Sequence, residues 1–126
     1  MTRAVVFDLE ERTARFGEDI IQFVKTFDID VINRILIDQL VRSGMSVGAN
    51  YMEANGAESR KDFQHKIGIC KKEVRETKHW LRMIAKANPQ KIEQARQLWL
   101  EAEELVRIFA KIIITSKERQ NRDDFA

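Results

Sequence analysis

Apolar residues return at alternating steps of four and three through most of this chain, the period of a helix that buries one face. Leu9, Thr13, Phe16, Ile20, Phe23 and Phe27 form the first such seam and predict a helix over about residues 8–26. Asp8, Glu10 and Glu11 fall in its first turn, where the helix dipole favours acids. Leu36, Leu40, Ser43, Val47 and Ala54 carry a second seam over about residues 30–55. Asp30 reads as its N-cap, and Asn55-Gly56 as its stop, with Gly56 free to take the left-handed conformation. A third helix, about residues 59–87, opens at Ser59, whose spacing to Asp62 resembles a capping box. Its seam is Phe63, Ile67, Cys70, Val74, Thr77, Leu81 and Ile84. Asn88-Pro89 then breaks the pattern, with Asn88 as N-cap and Pro89 as the first residue of a fourth helix over about residues 89–116. That helix turns Ile92, Ala95, Leu98, Trp99, Ala102, Leu105, Val106, Phe109, Ile112 and Ile113 inward. The remainder, KERQNRDDFA (117–126), reads as a charged flexible tail. Four such helices with short connections predict an all-α protein, an antiparallel up-down four-helix bundle over residues 1–116.

Two helices carry more apolar surface than one seam uses. At roughly 100° per residue, Ile37, Val41, Met45 and Met52 lie well round the second helix from its seam. Gly44 and Gly48 stand between the two faces, where a missing side chain permits close helix approach. A wide core stripe on a central helix explains this pattern as well as an interface does. On the third helix, Ile69, Trp80 and Met83 gather away from the seam among Asp62, Glu73 and Glu76. An apolar patch with a tryptophan and a charged rim has the composition of a subunit interface. The expectation is a homo-oligomer in which unlike faces meet, a contact that closes into a ring.

The chain has 126 residues, 44% of them hydrophobic and 33% charged, which suits one globular helical domain. The net charge of +2 conceals an uneven distribution. Residues 60–86 hold nine Lys or Arg against three acids. Arg60, Lys71, Arg75, Lys78, Arg82 and Lys86 fall within a sector of roughly 80°, a stripe about 39 Å long. Lys61, Lys66, Lys72, His65 and His79 stand nearby. Such a stripe can track a phosphate backbone and release its counterions, so nucleic acid is the polyanion expected. Two other readings stay open: pairing with acids of a neighbouring helix or subunit, and plain solvation. The first helix offers Asp8, Glu10, Glu11, Glu18 and Asp19 as partners. With no aromatic interleaved on the stripe, base stacking is not expected, and binding should ignore sequence.

Catalytic patterns are missing. There is no phosphate-cradling glycine loop and no nucleophile elbow. Glu76 and His79 have the spacing of carboxylate-bridged metal bundles, but that site needs a second such pair and two further carboxylates, so no metal or cofactor is expected. Arg42, Ser46, Asn50 and Glu53 line one polar edge of the second helix and read first as a helix-to-helix hydrogen-bond network, with an active site as the lesser reading. Cys70 sits in the third seam and reads as a small core residue. No window of about 18 apolar residues is present, and the expected location is the cytoplasm.

The segments DLEERTARFGEDII and NRILIDQLVRSGMSVGANYMEANGAESRKDFQHKIGICKKEVRETKHWLRMI resemble the S23-type proteins encoded within 23S rRNA intervening sequences. The likeness covers about residues 8–115. That family is similar in fold to the accessory proteins of diversity-generating retroelements. The resemblance implies a four-helix protomer, a homopentameric ring and a basic surface. Through the retroelement relatives it further implies nucleic acid and a reverse transcriptase as partners. The matching motif positions are Arg42, Ser43, Ser46, Asn50 and Glu53, then Lys66, Lys72, Glu73, Glu76 and Trp80, to none of which it assigns a catalytic role. Met45 and Met52 depart from the pattern, which more often has a small or polar residue and a basic residue there.

Overall fold

The computed structural model describes residues 8–125 of the chain. Residues 1–7 and 126, the start of the expected domain and the end of the expected tail, lie outside the described residues. Four α-helices follow in order: α1 (Leu9–Val24), α2 (Val31–Asn55), α3 (Arg60–Ala87) and α4 (Ile92–Phe125). One 3₁₀ turn, Pro89–Lys91, precedes α4. The chain runs up, down, up and down, so α3 packs along both α2 and α4 while α1 lies against α2 and touches α4 lightly. This places α1 and α3 on the diagonal of an antiparallel four-helix bundle.

Local chemistry starts the first three helices. Asp8 accepts from the Glu11 N–H at 3.1 Å, Asp30 from the Asn33 N–H at 2.7 Å, and Ser59 from the Asp62 N–H at 3.0 Å. Each bond satisfies an amide that has no partner inside its own helix. Gly56 ends α2 without turning left-handed: its φ is −97°, and its N–H reaches the Met52 and Glu53 carbonyls. Asn88 differs from expectation too. Its side chain caps no amide but donates to the Ile84 carbonyl at 3.0 Å and pairs with Asn33. The 3₁₀ turn takes up Pro89, and α4 proper starts at Ile92.

The expected seams are the core. Phe16, Ile20, Leu40, Val47, Ile67, Val74, Leu105 and Phe109 are among its fully buried residues. Cys70 is buried with them, and burial pushes its thiol pKa up to about 12, so it is an inert packing group. Ile92 departs from the inward set and is exposed, because the first turn of α4 stands at the bundle end over an open groove.

The second apolar face of α2 meets α1. Ile20 lies over Gly44, the Thr13 backbone approaches Gly48, and Met45 rests on Gly17. A side chain at Gly44 would overlap the buried Ile20, whereas a methyl group at Gly48 would only reach ordinary contact with Thr13, so Gly44 is the residue that sets the closeness of α1 to α2. Met45, Ile37 and Val41 pack against the core, which makes much of that face a wide core stripe; Met52 remains exposed.

The segment expected to be a flexible tail is helical as far as Phe125. Residues 117–125 contain no Gly or Pro, and α3 supplies partners along them. Gln64 donates to Ser116 at 3.0 Å and to Gln120 at 3.2 Å, and Arg60 pairs with Asp123 at 2.8 Å.

Candidate nucleic-acid interface

The basic stripe of α3 lies on the flank that faces α4. Its residues divide into two groups. Arg60 is engaged by Asp123, and Lys78 donates to Glu103 while its ammonium stands 4.4 Å from the centre of the Trp99 ring. Lys78 holds the Glu103 carboxyl below the usual carboxylate range, with Arg107 adding to the effect from one turn away. Lys71, Arg75, Arg82 and Lys86 have no carboxylate partner among the described residues. Arg75, Arg82 and Lys86 are exposed and Lys71 is half-buried.

The acids of α1 are not the stripe's partners. Glu11 pairs with Arg15 on its own helix, and the diagonal position of α1 keeps its acids from α3. The link from α1 runs to α4 instead. Arg12 donates to Glu101 at 2.7 and 2.9 Å and to Glu104 at 2.8 Å, which raises its pKa further. This fork straps the shortest helix to the longest one.

On the opposite flank of α3, toward α2, most of the charged side chains pair within the chain. Arg42 donates to Glu76, and the Trp80 indole N–H donates to the same carboxylate at 3.1 Å. These contacts, Trp80 first, lower the Glu76 pKa. Lys66 reaches Glu53 at 2.7 Å, and Thr77 donates to Ser43 at 2.9 Å. Of the polar edge on α2, Arg42 and Glu53 do cross to α3. Ser46 and Asn50 bond back to carbonyls of their own helix. Glu73 is buried beside Arg42 at 3.9 Å, and its Oε1 accepts no hydrogen bond among the described residues. Trp80 is half-buried on this side, and Ile69 and Met83 are half-buried as well, Ile69 also lining a groove with Ile113 and Lys117 of α4.

His79 is exposed and rests edge-on against Trp80, away from any carboxylate cluster. Among the described residues no three His, Cys, Asp or Glu side chains gather closely enough to hold a metal ion. Nor is any described helix long and apolar enough to cross a membrane.

One member of the surface escaped the sequence. Trp99 comes from α4 and borders the stripe, lining a groove with Leu81, Arg82, Ala85, Arg96 and Leu100. Its helical position reads as core, and no local signal places it beside basic residues that precede it by some twenty positions.

Residues 7–111 match the family described as 23S rRNA-intervening sequence protein. No curated protein matches the chain. Among solved structures, a protein with unknown function from the S23 ribosomal protein family of Bacteroides thetaiotaomicron VPI-5482 is similar at 30% identity. The match covers 82% of this chain and 96% of that one, with a TM-score of 0.73.

Proposed function

We propose that this chain, which belongs to the 23S rRNA-intervening sequence protein family, is a non-enzymatic, cytoplasmic helical bundle that binds nucleic acid. RNA is the favoured partner. The observation that carries the reading is the set Lys71, Arg75, Arg82 and Lys86 on one flank of α3. These have no carboxylate partner among the described residues, while most of the charged side chains on the opposite flank of the same helix pair within the chain. Leaving several like charges together without acids costs stability through mutual repulsion, and phosphates would relieve it. Protomers would assemble as a homo-oligomeric ring, a pentamer by the family resemblance, with Met52, Ile69, Trp80 and Met83 as the contact surface. A ring would repeat the basic flank and focus its field.

A second reading has a specific observation behind it. Lys78 and Arg60 are already committed to Glu103 and Asp123, so acids of a partner could equally cover the rest of the stripe. The protein would then be an interaction scaffold, for another subunit or for a protein such as a reverse transcriptase.

Binding of structured RNA between about 50 and 200 mM salt separates the two. The first reading expects affinity to fall steeply across that range. It also expects Arg75→Glu with Arg82→Glu to lower both the affinity and the salt slope, the slope by about one for each phosphate no longer neutralised. These two exposed residues are better targets than Lys78, whose removal would disturb Glu103. Salt-insensitive or absent binding by a folded protein would favour the scaffold.

A further inference from the structure

The groove between the upper parts of α3 and α4 joins three things that the sequence keeps apart. Its volume is about 470 Å³, within the ordinary range for a small-molecule site. The floor is apolar, from Leu81, Ala85 and Trp99, and its edge carries Ile92 and Leu100, which are 45% and 56% exposed. Arg82 and Arg96 line it as well. Arg96 is held by Glu93 at 3.3 Å, whereas Arg82 has no such partner among the described residues. Arg75 and Lys86 lie on the same flank of α3, within roughly 40° of Arg82.

The two tryptophans of the chain differ in a way that bears on this groove. Trp80 uses its N–H on Glu76. Trp99 N–H finds no partner among the described residues and is not a buried atom. A half-buried indole with a wet polar end, an apolar surround and cations at hand is the arrangement used at binding surfaces. Lys78, steered by Glu103, stands over the Trp99 ring and covers that face of it, but it does not line the groove, where Trp99 meets Leu81, Ala85 and Arg82 instead.

We infer that this groove is a stacking site for an unpaired base of single-stranded RNA. The base would lie against Trp99, with the flanking phosphates on Arg75, Arg82 and Lys86. The inference rests on the nucleic-acid reading above and narrows it to a class of substrate. A base inside a duplex already has both faces covered by its neighbours, so only an unpaired one can exchange solvent for the indole. Charge alone would not make that distinction, because a duplex presents more phosphate per unit length than a single strand. Stacking tolerates any base, so the site selects strandedness and not sequence.

The test compares the full chain with labelled single-stranded and duplex RNA of equal length at low salt. The expected result is preference for the single strand. Trp99→Ala should lower single-strand affinity by about 5- to 150-fold and leave duplex affinity unchanged, while Trp99→Phe, which keeps a ring, should lose less. In fluorotryptophan-labelled protein, the fluorine resonance that disappears in Trp99→Phe should shift with the single strand and not with the duplex. This second arm needs no folded alanine variant. Equal affinity for both RNAs with an unmoved Trp99 resonance would overturn the stacking site and leave the electrostatic reading standing. No binding of either RNA would remove both.

Discussion

The buried side chains of Asn33 and Asn88 face each other and exchange two hydrogen bonds, at 3.0 and 2.8 Å. Asn33 also donates to the Asp28 carbonyl, and Asn88 to the Ile84 carbonyl. The pair therefore ties the start of α2 to the end of α3 and satisfies two backbone carbonyls at that end of the bundle. Removing one partner leaves buried amide atoms of the other without a bond, at a cost of about 1–3 kcal/mol. Asn88→Ala should lower the urea midpoint accordingly. Adding Asn33→Ala to it should cost less than the sum of the single changes, because the pair acts as a unit. Strict additivity would show that the two amides do not cooperate.

Gly44 and Gly68 make opposite predictions although both lie inside helices. A methyl group at Gly44 would overlap the end of Ile20, which is fully buried, whereas nothing lies within 4 Å of one at Gly68. Overpacking costs about 1–3 kcal/mol and helix propensity returns about 1, so Gly44→Ala should destabilise the protein. Gly68→Ala should stabilise it by up to about 1 kcal/mol. Denaturant unfolding of both decides whether α1 is seated on α2 as described; a stable Gly44→Ala protein would contradict it.

Stability should fall in acid partly through Glu103. Its folded-state pKa is lowered, first by the hydrogen bond from Lys78, so the ionised form is favoured by folding. That contribution is complete above the ordinary carboxylate range and is lost as pH drops through the lowered value. Urea midpoints at about pH 7 and about pH 3 should therefore differ less in Lys78→Met than in the unaltered chain. Equal acid sensitivity would mean that the pair contributes nothing.

Assembly can be tested at Trp80. Its ring is half-buried on the α2–α3 flank beside Met83, and its N–H is held by Glu76. If protomers meet through this flank, Trp80→Glu should reduce the mass measured by light scattering to that of one chain while helicity by circular dichroism persists. A folded variant of unchanged mass would move the contact elsewhere.

The sequence alone was enough for the presence of four helices and for the family. Helical periodicity marked the seams because a buried face repeats with the helix itself, and Asp30 and Ser59 marked two starts because a cap is a bond across three residues. The RSGMSVGANYMEAN and KDFQHKIGICKKE blocks carried the family likeness directly. What lay outside its reach were the relations between helices. Which acids neutralise the stripe depends on α4, and not α1, standing next to α3. That adjacency also brings Trp99 to the basic flank and gives residues 117–125 a helix to run along, while α1 covers much of the second face of α2. A helical wheel assigns each residue an angle on its own helix. Only packing decides which neighbour stands at that angle, because the low-dielectric core and its close contacts are shared by side chains far apart in the chain.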